Sequence, residues 1–269
     1  MVKYIAKTYM PSALRQLAQR RNSRTISLGT PKSGTTSIAG LFAGKFRYGH
    51  EAERDAHVKV IYSHYKGKIT DKAYIKYLRK RDKRLWMDIE SNCFLGYRPD
   101  LTYRALPDYQ FILTIRDPWS WLDSIFNNNI SFPVARHKTM ERWHEVFFQP
   151  DKYVHYQDEQ ILKDFKLYPV DAYLNYWVNA NQSVINSIPD EQLLIIPTKN
   201  ISGSLEVIED FLGIPNNTLK QEHSFSNVTE NKYDVRSKLD EEYIRDRIKV
   251  ICNDFIVKNK LLDSIKINQ

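Results

Sequence analysis

Cysteine and glycine are scarce in this 269-residue chain, with two Cys and nine Gly. Cys93 and Cys252 form neither a CxxC nor a Cys/His spacing. A disulfide scaffold and a zinc site are therefore not expected, and two reduced, packed thiols are. So few glycines beside 13% aromatic residues argue against collagen-like, linker-like and solenoid architectures. No stretch approaches the ~18 apolar residues of a membrane span. The first two dozen residues also lack the apolar run of a signal peptide, so a cytoplasmic protein without a membrane partner is expected.

What is present is positive charge and enough apolar content for a sizeable core. Lys and Arg number 40 against 32 Asp and Glu, a net charge of 40 − 32 = +8, and 42% of residues are hydrophobic. That balance suits nucleic acid, an anionic surface or a small polyanion. The excess is densest at Arg15–Arg24 and Lys72–Arg84. The second of these carries Tyr74, Ile75 and Leu78 at helical spacing, which favours a solvated helix face over a nucleic-acid patch.

Along the chain, strand patterns alternate with helix patterns. Residues 24–29 read as a strand and 35–45 as a helix with Ile38, Leu41 and Phe42 on one face. A second strand is expected at 84–91, a short helix at 99–106 and a stronger strand at 110–115, stopped by Arg116-Asp117-Pro118 before another helix. Then follow a helix at 169–187, a strand at 193–197, a helix at 204–215 and an amphipathic helix at 239–262. The pattern predicts an α/β fold, a single three-layer domain with a mainly parallel central sheet. Residues 1–23 are expected to form a basic N-terminal helix, 24–232 the core and 233–269 a C-terminal loop and helix. Segments 52–85 and 130–170 read as insertions that cap an acceptor site, the latter irregular, aromatic and bearing His137, His144 and His155.

Two strand-to-helix loops carry chemistry. The first runs from Gly29 through Thr30, Pro31, Lys32, Ser33 and Gly34 to Thr35 and Thr36, followed by Ser37. Backbone N–H groups and the helix start favour an anion there, Lys32 adds a cation, and the hydroxyls add donors. The Gly-x-x-x-x-Gly spacing matches the start of a P-loop, but Thr35 stands where a nucleotide triphosphatase needs its Lys. A P-loop kinase or nucleotide-binding enzyme is thus an alternative, disfavoured by that displacement. A basic nucleic-acid-binding domain is a further one that leaves the loops unexplained. The second loop places Arg116 at the carboxyl end of the 110–115 strand and Ser124 eight residues on, a fork and a hydroxyl suited to another phosphate. By itself Arg116 would as readily pair with Asp117 or Asp123 as part of a helix cap.

Together the two loops resemble the sulfotransferases that use 3′-phosphoadenosine 5′-phosphosulfate (PAPS). The first is similar to the family's 5′-phosphosulfate loop and the second to its 3′-phosphate motif. Residues 193–215 resemble its late strand and Phe-Leu-Gly helix end, so the resemblance spans about 24–232. It implies a P-loop-like sulfotransferase fold and metal-independent transfer of a sulfuryl group from PAPS, by in-line attack, to a hydroxyl or amine of a small molecule. Lys32 would stabilise the charge developing as the bond to sulfur breaks. Pro31, Ser33, Gly34, Thr35, Thr36 and Ser37 would line the 5′-phosphosulfate site. Arg116 and Ser124 would hold the 3′-phosphate, with Lys232 or Arg236 closing over it.

For the general base, Glu51 lies where tyrosylprotein and heparan N-sulfotransferases carry a catalytic Glu. Glu90 or Asp88 lies near where steroid and phenol enzymes place a His, which this chain lacks, and His50 is a third candidate. Pairing of Glu51 with Arg54, or loop ordering by Asp88 and Glu90, are the structural alternatives. Departures from the family pattern include Ser37 in place of an adenine-stacking Trp. An acceptor pocket lined by Glu51, Asp88 and Glu90 would suit a polar or cationic natural product such as a guanidinium alkaloid.

Overall fold

A computed structural model describes residues 20–133, 137–220 and 233–259. Among these, strands β1 (Thr25–Gly29), β2 (Tyr48–His50), β3 (Ile89–Ser91), β4 (Gln110–Ile115) and β5 (Leu193–Pro197) form one sheet. Its order is β2-β3-β1-β4-β5 and every pairing is parallel. The helices that connect and cover it are α1 (Thr35–Leu41), α2 (Arg54–Tyr65), α3 (Asp71–Leu85), α4 (Pro99–Ala105), α5 (Pro118–Ser131), α6 (Lys138–Phe147), α7 (Gln160–Asp164), α8 (Val170–Ser187), α9 (Leu205–Leu212) and α10 (Glu241–Lys258).

Strand alternation divides the core in two. Ile26, Leu28, Phe111, Leu113 and Ile115 point to a large cluster with α3, α5, α8 and α10, built around the buried Trp121, Tyr173 and Trp177. Ile89, Ile112 and Ile196 point the other way, to a smaller cluster with Ile38 and Leu41 of α1 and Ile208 of α9. A sheet apolar on both faces must be covered on both, which gives the three layers.

Several elements depart from the sequence-based expectation. Strand β2 has no apolar pattern, because it is a three-residue edge strand containing Gly49. Helix α2 is a regular helix whose buried stripe includes His57 beside Val58 and Ile61, so its core face does not read as apolar. The segment expected to be irregular carries α6 and α7; Trp143 and Val146 of α6 are buried in the large cluster. The N-terminal basic helix falls almost wholly outside the described residues, as does Lys232, and α10 is described to Lys258.

Glu90 pairs with Ile26 across the ladder and shares its face, turned toward α3. There Arg81 meets it with both terminal nitrogens at 2.5 Å, and both side chains are almost fully buried. Asn92 donates to the same carboxylate at 2.7 Å. Asp88 is likewise engaged, by the Arg47 guanidinium at 2.8 and 3.0 Å and the backbone N–H groups of Arg47 and Asn22. Removing one member of a buried ion pair strands the other in low dielectric. Glu90→Ala is therefore expected to lower stability by about 3–5 kcal/mol in urea unfolding, and the double change Arg81→Met with Glu90→Leu to recover most of that loss. A single-variant loss below about 1 kcal/mol would contradict this role.

Candidate active site

The site is built by the ladder between β1 and β4. In register, Gly29 stands opposite Thr114, so the two loops leave the sheet at one level, at its carboxyl edge. The first loop turns in a small space. Gly29 has φ +148°, and a Cβ there would sit 2.5 Å from Ser33 Oγ and 2.8 Å from the Thr114 carbonyl oxygen. Ser33 is buried and donates its hydroxyl to the Thr30 carbonyl at 2.7 Å, with Thr114 Oγ1 at 3.1 Å. Lys32 and Gly34 both take left-handed backbone, φ 67° and 98°, and the Ser33 N–H between them donates to the Thr30 carbonyl at 3.1 Å, closing a tight turn. The loop is tied from outside by Trp121 of α5, whose indole N–H donates to the Pro31 carbonyl at 2.8 Å, and by Thr198, which donates to the Ser33 carbonyl.

Arg116 begins the second loop. Its Nε donates to Ser120 Oγ at 2.9 Å and one terminal nitrogen to the Lys32 carbonyl at 3.3 Å, so its guanidinium lies against the first loop. Trp177 of α8 donates to the Arg116 carbonyl at 3.0 Å. Asp117 caps α5 through the Ser120 N–H rather than pairing with Arg116. Burial, and then the charge of Arg116, hold the Lys32 ammonium below its usual range. Burial also lowers Arg116, with Asp117 and Asp123 acting in the opposite direction. Two half-buried cations side by side are relieved by an anion between them.

Ser124 lies one turn beyond Ser120 on α5, half-buried, its hydroxyl making no side-chain hydrogen bond among the described residues. Thr35 and Thr36 open α1, and each hydroxyl lies within 3.2–3.3 Å of His50 Nε2. His50 closes β2 and is exposed. The adjoining Glu51 continues the ladder through its N–H to the Ser91 carbonyl at 3.0 Å. Its carboxylate accepts from Cys93 Sγ at 3.2 Å. Burial, and next the Glu51 charge, push the Cys93 thiol well up, so it remains a donor. Glu51 is half-buried and lines an open groove together with His50, Glu53, Arg54 and Arg84. Its expected structural partner Arg54 is taken instead by Asp55.

Of the candidate bases, then, His50 meets Thr35 and Thr36 and Glu51 follows it in the chain beside Cys93, while the Glu90 carboxylate is engaged by Arg81 and Asn92. The acidic pocket expected from Glu51, Asp88 and Glu90 does not form, because Asp88 and Glu90 are consumed by Arg47 and Arg81. The residues that sequence reasoning missed are the ties: Ser120, Trp121, Trp177, Thr198 and Cys93. Only Ser120 carried a signal, four residues after Arg116 and three after a capping Asp. The arrangement offers two cations and clustered hydroxyls for a polyanion, with an imidazole at its edge and the Glu51 carboxylate next in the chain.

A search of curated proteins finds no significant match. Among solved structures the chain is similar to a sulfotransferase from Alicyclobacillus acidocaldarius, at 13% identity and TM-score 0.49, over 92% of this chain and 98% of that one. It is also similar to the sulfotransferase domain from the curacin biosynthetic pathway, at 12% identity and TM-score 0.42, over 90% and 99%. Sulfotransferase STF9 from Mycobacterium avium matches at 11% identity and TM-score 0.47, over 90% and 78%. The family described as the sulfotransferase domain matches residues 24–231, most of the chain and both loops. With that match and the anion-shaped loops at the edge of its parallel sheet, the chain belongs to the sulfotransferase domain family.

Proposed function

We propose that the protein transfers a sulfuryl group from PAPS to a hydroxyl or amine of a small-molecule acceptor, and that Glu51 is the general base. The observation that carries the reading is the meeting of Lys32 and Arg116 across the β1–β4 register. The donor set fits PAPS, since hydroxyls and two half-buried cations suit a ligand with clustered phosphate and sulfate charge. Pro31, Lys32, Ser33, Gly34, Thr35, Thr36 and Ser37 would hold the 5′-phosphosulfate, and Arg116 and Ser124 the 3′-phosphate. No metal is invoked. When bound, PAPS supplies the sulfuryl group and a leaving phosphate.

In this scheme the chain's residues divide the work. Glu51 accepts the proton from the attacking acceptor atom as that atom bonds to sulfur. Lys32 neutralises the charge that builds on the bridging oxygen as the sulfur–oxygen bond breaks. Cys93 holds the Glu51 carboxylate by its thiol hydrogen bond. His50, against Thr35 and Thr36, orients their hydroxyls and is the alternative base. Glu90 is set aside because Arg81 and Asn92 occupy its carboxylate. A cationic acceptor, such as a guanidinium alkaloid, retains Glu51 alone of the three acids expected to attract it.

Calorimetry with 3′-phosphoadenosine 5′-phosphate tests the donor directly, and absence of binding to the wild-type protein would overturn the assignment. Arg116→Ala should weaken that binding by about 10–100-fold, the loss of a charge-assisted contact. Lys32→Ala should reduce kcat by about 10²–10³-fold, as for removal of one group aimed at developing charge. Glu51→Gln should reduce kcat by about 10²–10⁴-fold with nucleotide affinity unchanged; a near-normal rate would transfer the role to His50.

A further inference from the structure

Beside the site lies a cavity of about 330 Å³, within the range of ~300–1,000 Å³ common for small-molecule sites. It is walled by the rings of Tyr65, Tyr97, Phe147, Phe148, Tyr153 and Tyr176. Tyr176 connects it to the candidate chemistry. Its ring packs 6.2 Å from Trp121, which ties the first loop, and its phenol lies close enough to Glu51 to feel the carboxylate's charge.

The cavity is uncharged. Among the described residues its lining includes no Asp, Glu, Lys, Arg or His. Burial raises the phenols of Tyr97, Tyr153 and Tyr176, that of Tyr97 to about 12, so all three keep their protons at neutral pH. The cation–π capacity at its edge is already used, because the Lys66 ammonium lies 5.3 Å from the rings of both Tyr65 and Tyr62 and is paired with Glu145. A cationic guest would lose its water without a counter-ion.

One wall residue is wired from behind. Tyr97 Oη lies 3.1 Å from His64 Nδ1, and His64 Nε2 lies 2.9 Å from Asp71 Oδ1. The half-exposed Asp71 carboxylate only accepts, so a neutral imidazole donates to it from Nε2 and presents a bare Nδ1. Tyr97 must then donate its O–H to His64. Its oxygen has no other partner among the described residues and can accept a bond from within the cavity.

We propose that this cavity takes the ring portion of an uncharged, planar acceptor, and that Tyr97, its O–H turned away by His64, is the hydrogen-bond acceptor that selects molecules with an N–H or O–H remote from the sulfated group. The inference rests on the sulfuryl transfer proposed above. His64 and Asp71 are positioning residues.

Calorimetry at pH 8 with three naphthols, with and without 3′-phosphoadenosine 5′-phosphate, tests it. Naphthalene-2,6-diol should bind about tenfold more tightly than 6-methoxy-2-naphthol, and a 6-trimethylammonio-2-naphthol at least about tenfold more weakly than the diol. In Tyr97→Phe the diol's advantage should fall to within about twofold, with nucleotide affinity unchanged. In His64→Leu the Tyr97 O–H is released to donate, so the methoxy compound should gain on the diol; a merely structural role would weaken both alike. Should these variants not fold, Ala180→Phe, which fills the cavity, should abolish binding of all three. Equal binding of the cation, a diol preference that survives Tyr97→Phe, naphthol binding that survives Ala180→Phe, or no naphthol binding would each overturn the inference. Nucleotide that binds where naphthols do not defeats the cavity proposal alone; naphthol discrimination without nucleotide binding defeats only the donor assignment.

Discussion

Pairing Gly29 with Thr114 in a parallel ladder forces the loops after β1 and β4 to start at the same height, and so forces Lys32 against Arg116. Two cations half-removed from water repel and lose hydration, and burial lowers both. Arg116 is held there by a hydroxyl and a carbonyl, and Asp117 caps α5. An anion between the two cations would offset that cost. The remaining elements keep the meeting in place, with Trp121 and Trp177 reaching from α5 and α8 to the two loop carbonyls.

Much of this was legible in the sequence, for identifiable reasons. Strands β4 and β5 are continuous apolar runs bounded by turn signals, and the structure reproduces them at 110–115 and 193–197. The first loop announces itself because glycine, proline and hydroxyl residues follow a strand and precede a helix. Strand β2 left no trace, because three residues at a sheet edge need no hydrophobic period. Helix α2 was hidden because a histidine takes a core position, where its ring is packed with Tyr74 and Tyr77. Side-chain pairing across long separations was the least legible of all. Nothing in the local sequence says that Glu90 belongs to Arg81, or Asp88 to Arg47, and an acidic pocket inferred from spacing dissolves once those arginines are placed.

The same placement separates the two halves of the site by chemistry. The loops after β1 and β4, each tied to the core by an indole hydrogen bond to a backbone carbonyl, make the charged half. Rings from α2, α6 and α8, together with the turn at Cys93–Gly96, define the aromatic side, where a side-chain change alters shape directly. The basic face of α3 belongs to neither half: Lys72, Lys76, Lys80 and Lys83 are solvent-exposed, while Arg81 of the same run turns inward to Glu90.

The two indole tethers have a thermodynamic corollary. Trp121 and Trp177 are wholly buried members of the large core, yet each ends in a hydrogen bond to a loop that shapes the anion site. The loops cannot come apart without loosening the core, nor the core without opening the loops. An anion that bound there would therefore be linked to the folding of the whole domain rather than to the order of one loop, and the folded fraction would become a gauge of its concentration.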